Sequence, residues 1–286
     1  MTLHDAQQQL LFQLYSIYDN SESQQITDRV MEHLTGRTRI DRVMNKMLPL
    51  LPEQIDTLQQ LTNELLQHRP LQYVLKEAWF AGLLLYVDER VLIPRPETEE
   101  LVDWMIKDIR SEQNNKGSSI LDIGTGSGCI ALGLKKHLPY CEVHACDVSE
   151  GALEVARKNA ADNHLVVQFH WLNILMEEEY QRLPFFDHTV SNPPYIPLRD
   201  KNSMYPNVLE YEPHLALFVD NNDPLLFYRA IVNFSGTNLK KEGVIYLEIH
   251  EALAQPVQDL LKQEGFLRIE IRKDMQGKER MVKARR

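Results

Sequence analysis

Long apolar runs, paired cysteines and metal-ligand spacings are all missing from this 286-residue sequence. The apolar run through Trp79 to Val87 falls far short of the roughly 20 residues that cross a bilayer, so no membrane association is expected. The opening residues MTLHDAQQQ carry neither a basic segment nor an apolar core, so nothing marks the chain for export. Cys129, Cys141 and Cys146 form no C-x-x-C pair, and three thiols cannot all pair internally, which fits a reduced cytoplasm. The ten histidines lack H-x-x-x-H spacing, and no metal site is predicted. Excess positive charge is also missing. The net charge of −10 argues against stable, sequence-blind nucleic-acid binding, which depends on neutralising phosphates.

What is present changes character along the chain. Up to about residue 70 the pattern is helical and Gly36 is the only glycine. Leu10, Leu11, Leu14, Tyr15 and Tyr18 recur at helical spacing, as do Ile26, Val30, Met31 and Leu34. A third stripe opens with Pro52 and runs through Ile55, Leu58, Leu61, Leu65 and Leu66. Trp79–Val87 and Val91–Ile93 then predict two short strands around the polar turn Asp88-Glu89-Arg90. A helix follows from about Glu97 to Arg110, and then a polar loop from Ser111 to Ser119. Beyond it, strands at 119–123, 142–146, 166–170, 186–190, 243–249, 266–271 and 280–283 are interleaved with helices at 129–138, 150–163, 225–239 and 251–263. The expected fold is α/β, with a mostly parallel seven-stranded sheet covered by helices on both faces. The expected domains are a helical bundle (1–75), a β-hairpin linker (76–96) and a catalytic domain (97–286).

The first chemical signal is Asp122-Ile123-Gly124-Thr125-Gly126-Ser127-Gly128, which leaves a strand and opens a helix. Glycines there let the backbone turn tightly and approach a ligand. Asp147 ends the next strand, where a carboxylate can accept the hydroxyl hydrogens of a ribose. A dinucleotide enzyme would use the same acid, but Cys129 breaks the G-x-G-x-x-G spacing. Asp122 and G-x-G-x-G instead resemble the first motif of class I, Rossmann-like methyltransferases.

The second signal is Ser191-Asn192-Pro193-Pro194-Tyr195, at the carboxyl end of a strand. Two prolines fix φ and keep Asn192 out of helical geometry. An amide or exocyclic amino nitrogen is a poor nucleophile because its lone pair is delocalised. The Asn192 side-chain oxygen and the Pro193 carbonyl can accept both of its hydrogens and aim it at a methyl donor. Those acceptors bind more strongly as the nitrogen gains positive charge. Tyr195 can stack on the flat substrate group, and no strong base is required.

Beyond these two motifs, Arg69-Pro70-Leu71-Gln72-Tyr73, Val91-Leu92-Ile93-Pro94-Arg95-Pro96-Glu97-Thr98-Glu99, Glu210-Tyr211-Glu212-Pro213, Phe227-Tyr228-Arg229 and Asp274-Met275-Gln276-Gly277-Lys278-Glu279-Arg280 complete a pattern over most of residues 69–285. The chain closely resembles the PrmC/HemK family of peptide chain release factor glutamine methyltransferases. The resemblance implies S-adenosylmethionine as cofactor, S-adenosylhomocysteine as product, and the Gly-Gly-Gln glutamine of class I release factors as methyl acceptor. It implies that the helical bundle grips the protein substrate and that Pro94, Arg95 and Thr98 lie near the cofactor's methionine end. The expected cofactor residues are Gly124, Thr125, Gly126, Ser127, Gly128, Asp147, Asn173, Ile174, Asn192, Arg95 and Thr98. The expected catalytic and substrate-binding residues are Asn192, Pro193, Pro194 and Tyr195.

Four positions depart from the family pattern. Lys76, Pro224 and His250 each stand where glycine is usual, and Asn173 replaces an acid. His188 reads as a packed or surface histidine, Cys129 as a small buried residue, and Glu177-Glu178-Glu179 as a solvated face. Competing readings are a nucleic-acid adenine methyltransferase, a ribosomal-protein glutamine methyltransferase, a non-catalytic cofactor-binding regulator, and a nicotinamide dehydrogenase. The last leaves the proline turn unexplained.

Overall fold

Among the described residues, five helices precede the first strand: α1 (Leu3–Leu14), α2 (Asn20–Thr35), α3 (Arg39–Met44), α4 (Pro52–Leu66) and α5 (Leu71–Leu75). Their ends follow from local chemistry. Thr2 and Asp5 form a reciprocal capping box on α1, Asp19 caps α2, Gly36 ends α2 in the left-handed region, and Pro52 opens α4. Leu10, Leu14, Val30, Met31, Leu58 and Leu65 form the core of this unit. The computed structural model describes residues 1–111, 117–180 and 182–286; of the polar loop expected from Ser111 to Ser119, residues 112–116 lie outside them.

The chain continues through β1 (Ala78–Phe80), β2 (Leu83–Leu85), α6 (Pro96–Ser111), β3 (Ser119–Ile123), α7 (Cys129–His137), β4 (Glu142–Asp147), α8 (Glu150–Asp162), β5 (Gln168–Trp171), α9 (Glu177–Tyr180) and β6 (Phe186–Ser191). There follow β7 (Ile196–Pro197), α10 (Pro206–Tyr211), β8 (Phe218–Val219), α11 (Leu226–Asn238), β9 (Leu239–Glu248), α12 (Ala254–Gln263), β10 (Leu267–Lys273) and β11 (Glu279–Arg285). The chain divides into two compact units, one of residues 1–77 with 205–211, the other of 78–204 with 212–286. Within the smaller unit, the Tyr211 hydroxyl donates to the Gln67 carbonyl at 2.8 Å.

The larger unit is built on a seven-stranded sheet in the order β10-β11-β9-β6-β3-β4-β5, in which β11 alone runs against the rest. Alternation along the strands divides its core in two. Ile120, Val244 and Tyr246 join the cluster beneath α6 and α7, whereas Leu121, Ile245 and Leu247 join the one beneath α11 and α12. The alternation of strands and helices matches the sequence reading.

The hairpin does not. Its turn is Ala81-Gly82, not Asp88-Glu89-Arg90, and Val91–Ile93 is not a strand. A two-residue hairpin turn of the I′ type needs positive φ at both positions, and Ala81 and Gly82 supply +48° and +72°. The 88–90 turn is closed differently, by the Arg90 guanidinium on the Asp88 carboxylate (2.7–3.1 Å).

Lys76 ends α5 at φ 56°, ψ 34°, which explains why glycine suits this position. The left-handed region costs a side-chain-bearing residue roughly 1–2 kcal/mol, partly offset by glycine's larger entropy loss on folding. Lys76→Gly should therefore stabilise the fold by about 0.5–1 kcal/mol, read as a higher urea midpoint at unchanged slope. A second expectation concerns His188 on β6, whose burial holds its pKa down at about 4. Between about pH 6.5 and 4 the unfolded chain binds a proton there that the native chain refuses, so stability falls as the pH drops through that window. Urea titrations across it should show His188→Gln losing about 2–3 kcal/mol less than wild type.

Candidate active site

The glycine loop leaves β3 and is pinned to the end of β4. The amides of Gly124 and Thr125 both donate to the Cys146 carbonyl, at 2.9 and 3.0 Å. The Asp147 carboxylate accepts from the Gly126 amide at 2.9 Å and from the Ser149 amide at 2.9 Å. Burial raises its pKa, against those backbone donors. All three glycines have positive φ, yet they serve two purposes. A Cβ on Gly124 or Gly126 would meet only open space, whereas one on Gly128 would lie 3.2 Å from the Ala156 Cβ. The first two leave room for a ligand; Gly128 lets α7 approach α8.

Asp122 lies under the loop, fully buried. Its Oδ2 accepts from the Thr125 hydroxyl at 2.6 Å and the Ala131 amide at 3.2 Å, and its Oδ1 has no hydrogen-bond partner. Burial pushes its pKa up to about 7. The hydroxyl of Thr125 is thereby turned inward, and the Ser127 carbonyl accepts from Asn159 Nδ2 at 2.9 Å.

One cavity brings together Gly124, Gly126, Asp147, Asn173, Ile174, Asn192, Pro193 and Pro194, with Val91 and Leu92 beside them and Pro213, Leu215 and Ala216 contributing an apolar wall. Thr125, Ser127, Gly128, Tyr195, Arg95 and Thr98 are not among its lining residues. Tyr195 packs against the core beneath α11 and α12, its ring 5.8 Å from that of His250. Arg95 pairs with the buried Glu212 at 2.5 Å. Thr98 stands behind Asn192: Asn192 Nδ2 donates to the Thr98 hydroxyl at 3.0 Å, and that hydroxyl donates to Glu248 Oε2 at 2.6 Å. Asn173 forms a local turn, its Oδ1 accepting from the Leu175 amide at 3.0 Å.

Three acids are buried around the site, and one of them, Glu248, lies outside every motif of the sequence. Glu248 is the single acid in the apolar strand segment Val244–Ile249, and that isolation was the available signal. Glu212 stands in Glu-Tyr-Glu-Pro, and its side chain also accepts from the Ile93 amide at 3.3 Å. Asp122 opens the glycine motif, two residues before Gly124. Cys129 is buried, with burial pushing its thiol up to about 12, so it supplies no thiolate. Among the described residues, no group of three His, Cys, Asp or Glu side chains is placed to hold a metal.

These residues suit an adenosine-bearing cofactor: open glycine positions, a ribose-height carboxylate and an apolar cover. Residues 5–75 match the family model described as PrmC N-terminal domain, and residues 103–210 the one described as methyltransferase small domain. The release factor glutamine methyltransferase of Flavobacterium psychrophilum is 42% identical over 283 residues, covering 99% of both chains. That of Bacteroides thetaiotaomicron is 37% identical over 273 residues, covering 96% of both. Among solved structures, a Thermus thermophilus 16S rRNA N2 G1207 methyltransferase in complex with AdoMet and guanosine superposes with a TM-score of 0.52 at 19% identity, covering 73% of this chain and 49% of that one. A Pyrococcus furiosus methyltransferase gives 0.50 at 20% identity, covering 71% of this chain and 89% of that one. Both likenesses are of fold.

Asp147 joins the loop to the cavity, so its removal should be felt by the ligand. Asp147→Ala should weaken S-adenosylmethionine binding by about 1.5–3 kcal/mol, the worth of a hydrogen bond to a charged group. Titration calorimetry giving wild-type affinity would remove Asp147 from ribose binding.

Proposed function

The chain belongs to the release factor glutamine methyltransferase family, and from that premise we propose that it methylates the side-chain amide nitrogen of the Gly-Gly-Gln glutamine in class I peptide chain release factors. The observation that carries this reading is the pose of Asn192 on the cavity, with its Nδ2 occupied by Thr98 and its oxygen left to accept from a substrate amide.

S-adenosylmethionine, bound in this cavity, supplies an electrophilic methyl group. Asp147 would accept from its ribose hydroxyls, and Asn173 and Ile174, which line the same cavity, would border its adenine. Gly124 and Gly126 contribute space rather than donors, because their amides are already bonded to Cys146 and Asp147. Asn192 Oδ1 and the Pro193 carbonyl accept the two amide hydrogens of the substrate glutamine and orient its nitrogen. The acceptors gain strength as that nitrogen becomes positive, which is stabilisation specific to the transition state. Pro213, Leu215 and Ala216 exclude water from the reacting groups. The proton leaves after transfer, so no strong base is needed. His188 is suited to none, being buried in the sheet with its pKa near 4.

In this reading residues 1–75 form a substrate-recognition domain, 76–96 a linker and 97–286 the catalytic domain. An exposed glycine-flanked loop can extend its glutamine into the cavity, and the helical domain adds a second surface, so short peptides are poorer substrates than the folded factor. No helix among the described residues is long and apolar enough to cross a membrane; the proposed release-factor substrate is a translation factor, which supports a cytoplasmic enzyme.

The test is methyl transfer to a purified release factor beside its Gln→Ala loop variant and beside DNA. Label on the factor alone is expected; equal labelling of both proteins, or of DNA only, overturns the proposal. In the same assay Asn192→Ala should lower kcat by about a hundred- to thousandfold, the cost of about 2.7–4 kcal/mol for losing one acceptor preorganised for developing charge.

A further inference from the structure

A side-chain amide is nearly symmetric in shape, so the rigid proline turn that fixes the Asn192 backbone does not decide which way its oxygen and nitrogen lie. We infer that Glu248 and Thr98 are positioning residues for the methyl transfer: acting through the Thr98 hydroxyl, the Glu248 carboxylate orients the Asn192 amide so that its oxygen faces the substrate. This inference rests on the proposed role of Asn192.

The logic is one of donor and acceptor counting. An ionised carboxylate only accepts, and a threonine hydroxyl has one hydrogen to give. Glu248 Oε2 takes that hydrogen at 2.6 Å. The Thr98 oxygen can then only accept, and it does so from Asn192 Nδ2 at 3.0 Å. The amide is left with its oxygen on the other side. Reversed, Asn192 would turn an NH2 toward the substrate's own NH2, setting donor against donor beside a nitrogen that is becoming positive.

The three groups come from separate elements: Thr98 from α6, Glu248 from the end of β9, and Asn192 from the loop after β6. Thr98 and Glu248 are each 2% exposed, so water does not compete for the chain. In low dielectric such a chain also polarises along its length, making the Asn192 oxygen a stronger acceptor. The nearby Arg280 has its guanidinium bonded to Asp274 and to the Ile249 carbonyl, and its charge favours the ionised form of Glu248. Burial raises the Glu248 pKa to about 7, so the ionised, accepting form that sets the direction of the chain prevails above that pH, and the assays belong there.

A purely architectural bond between α6 and β9 would make the same contacts, so the test separates orientation from folding. In the full chain, with release factor and S-adenosylmethionine saturating, Thr98→Ser keeps the hydroxyl and should hold kcat within about threefold of wild type. Thr98→Val and Glu248→Gln should each lower kcat by at least about tenfold, with the cofactor Kd and the factor KM within about threefold. The double variant should lose little more than either single one, as expected of one connected chain.

Wild-type kcat in Thr98→Val, equal losses in Thr98→Ser and Thr98→Val, or a loss confined to cofactor Kd would overturn the inference. If Glu248→Gln does not fold, the Thr98 pair decides. Should the wild-type protein fail to methylate the factor, it is the proposed function that falls. The orientation is then decided without turnover by NMR, as hydrogen exchange of the Asn192 side-chain amide. Slow exchange in wild type and Thr98→Ser with fast exchange in Thr98→Val upholds it, and equal rates overturn it.

Discussion

The carboxyl ends of three adjacent parallel strands, β4, β3 and β6, determine where the glycine loop, Asp147 and the Asn192 turn can be. Asp122 on β3 pairs with Ala145 on one side and Val190 on the other. The glycine loop, Asp147 and the Asn192 turn therefore emerge side by side at one edge. Parallel strands require crossovers, and here α7 and α8 supply two of them, which carries the helices to the faces and leaves the loops at that edge free for ligands. The Cys146 carbonyl makes the link explicit, since it accepts from both Gly124 and Thr125 and fixes the loop of one strand to the end of the next.

Much of this was legible in the sequence because it is local. Strand–loop–helix order, the glycines and the Pro-Pro turn are contiguous signals, and short apolar runs alternating with helical stripes specify a wound sheet. The hairpin was misplaced because Trp79–Val87 is apolar throughout and has no alternation to set a register. Its turn also uses Ala81 at positive φ, which composition does not announce. Lys76 is a similar case: only the backbone shows that the residue adopts a conformation natural to glycine. The chain from Glu248 to Asn192 was illegible for another reason. Its two bonds join residues 150 and 94 positions apart, and no periodicity spans such distances.

The glycine loop also contributes less polarity than its sequence suggests. Its amides at 124, 125 and 126 are consumed within the protein, and the Thr125 hydroxyl is spent on Asp122. In the proposed reading, specificity for the cofactor comes from the groups around the loop, chiefly Asp147, the 173–174 segment and the apolar cover. Phosphate-binding glycine loops work the other way, offering free amides to an anion. A loop that has already satisfied its own amides suits a cofactor held by its ribose, its base and its shape.

Three acids, Asp122, Glu212 and Glu248, are buried around this edge, and burial of carboxylates does not favour stability. Each instead removes a degree of freedom. Asp122 ties the loop to the first turn of α7 through Thr125 and Ala131. Glu212 holds Arg95 and the Ile93 amide, and with them the segment between the 88–90 turn and α6. Glu248 holds Thr98, which holds Asn192. Their positions are equally telling: one lies under the cofactor loop, one beside the strap that precedes α6, and one behind the amide clamp. Apolar residues of like volume would pack these sites without the desolvation cost, but they would leave a loop, a strap and an amide free to turn. The acids are therefore better understood as orientation devices, accepted at some expense to stability where an unoriented group would carry no chemistry.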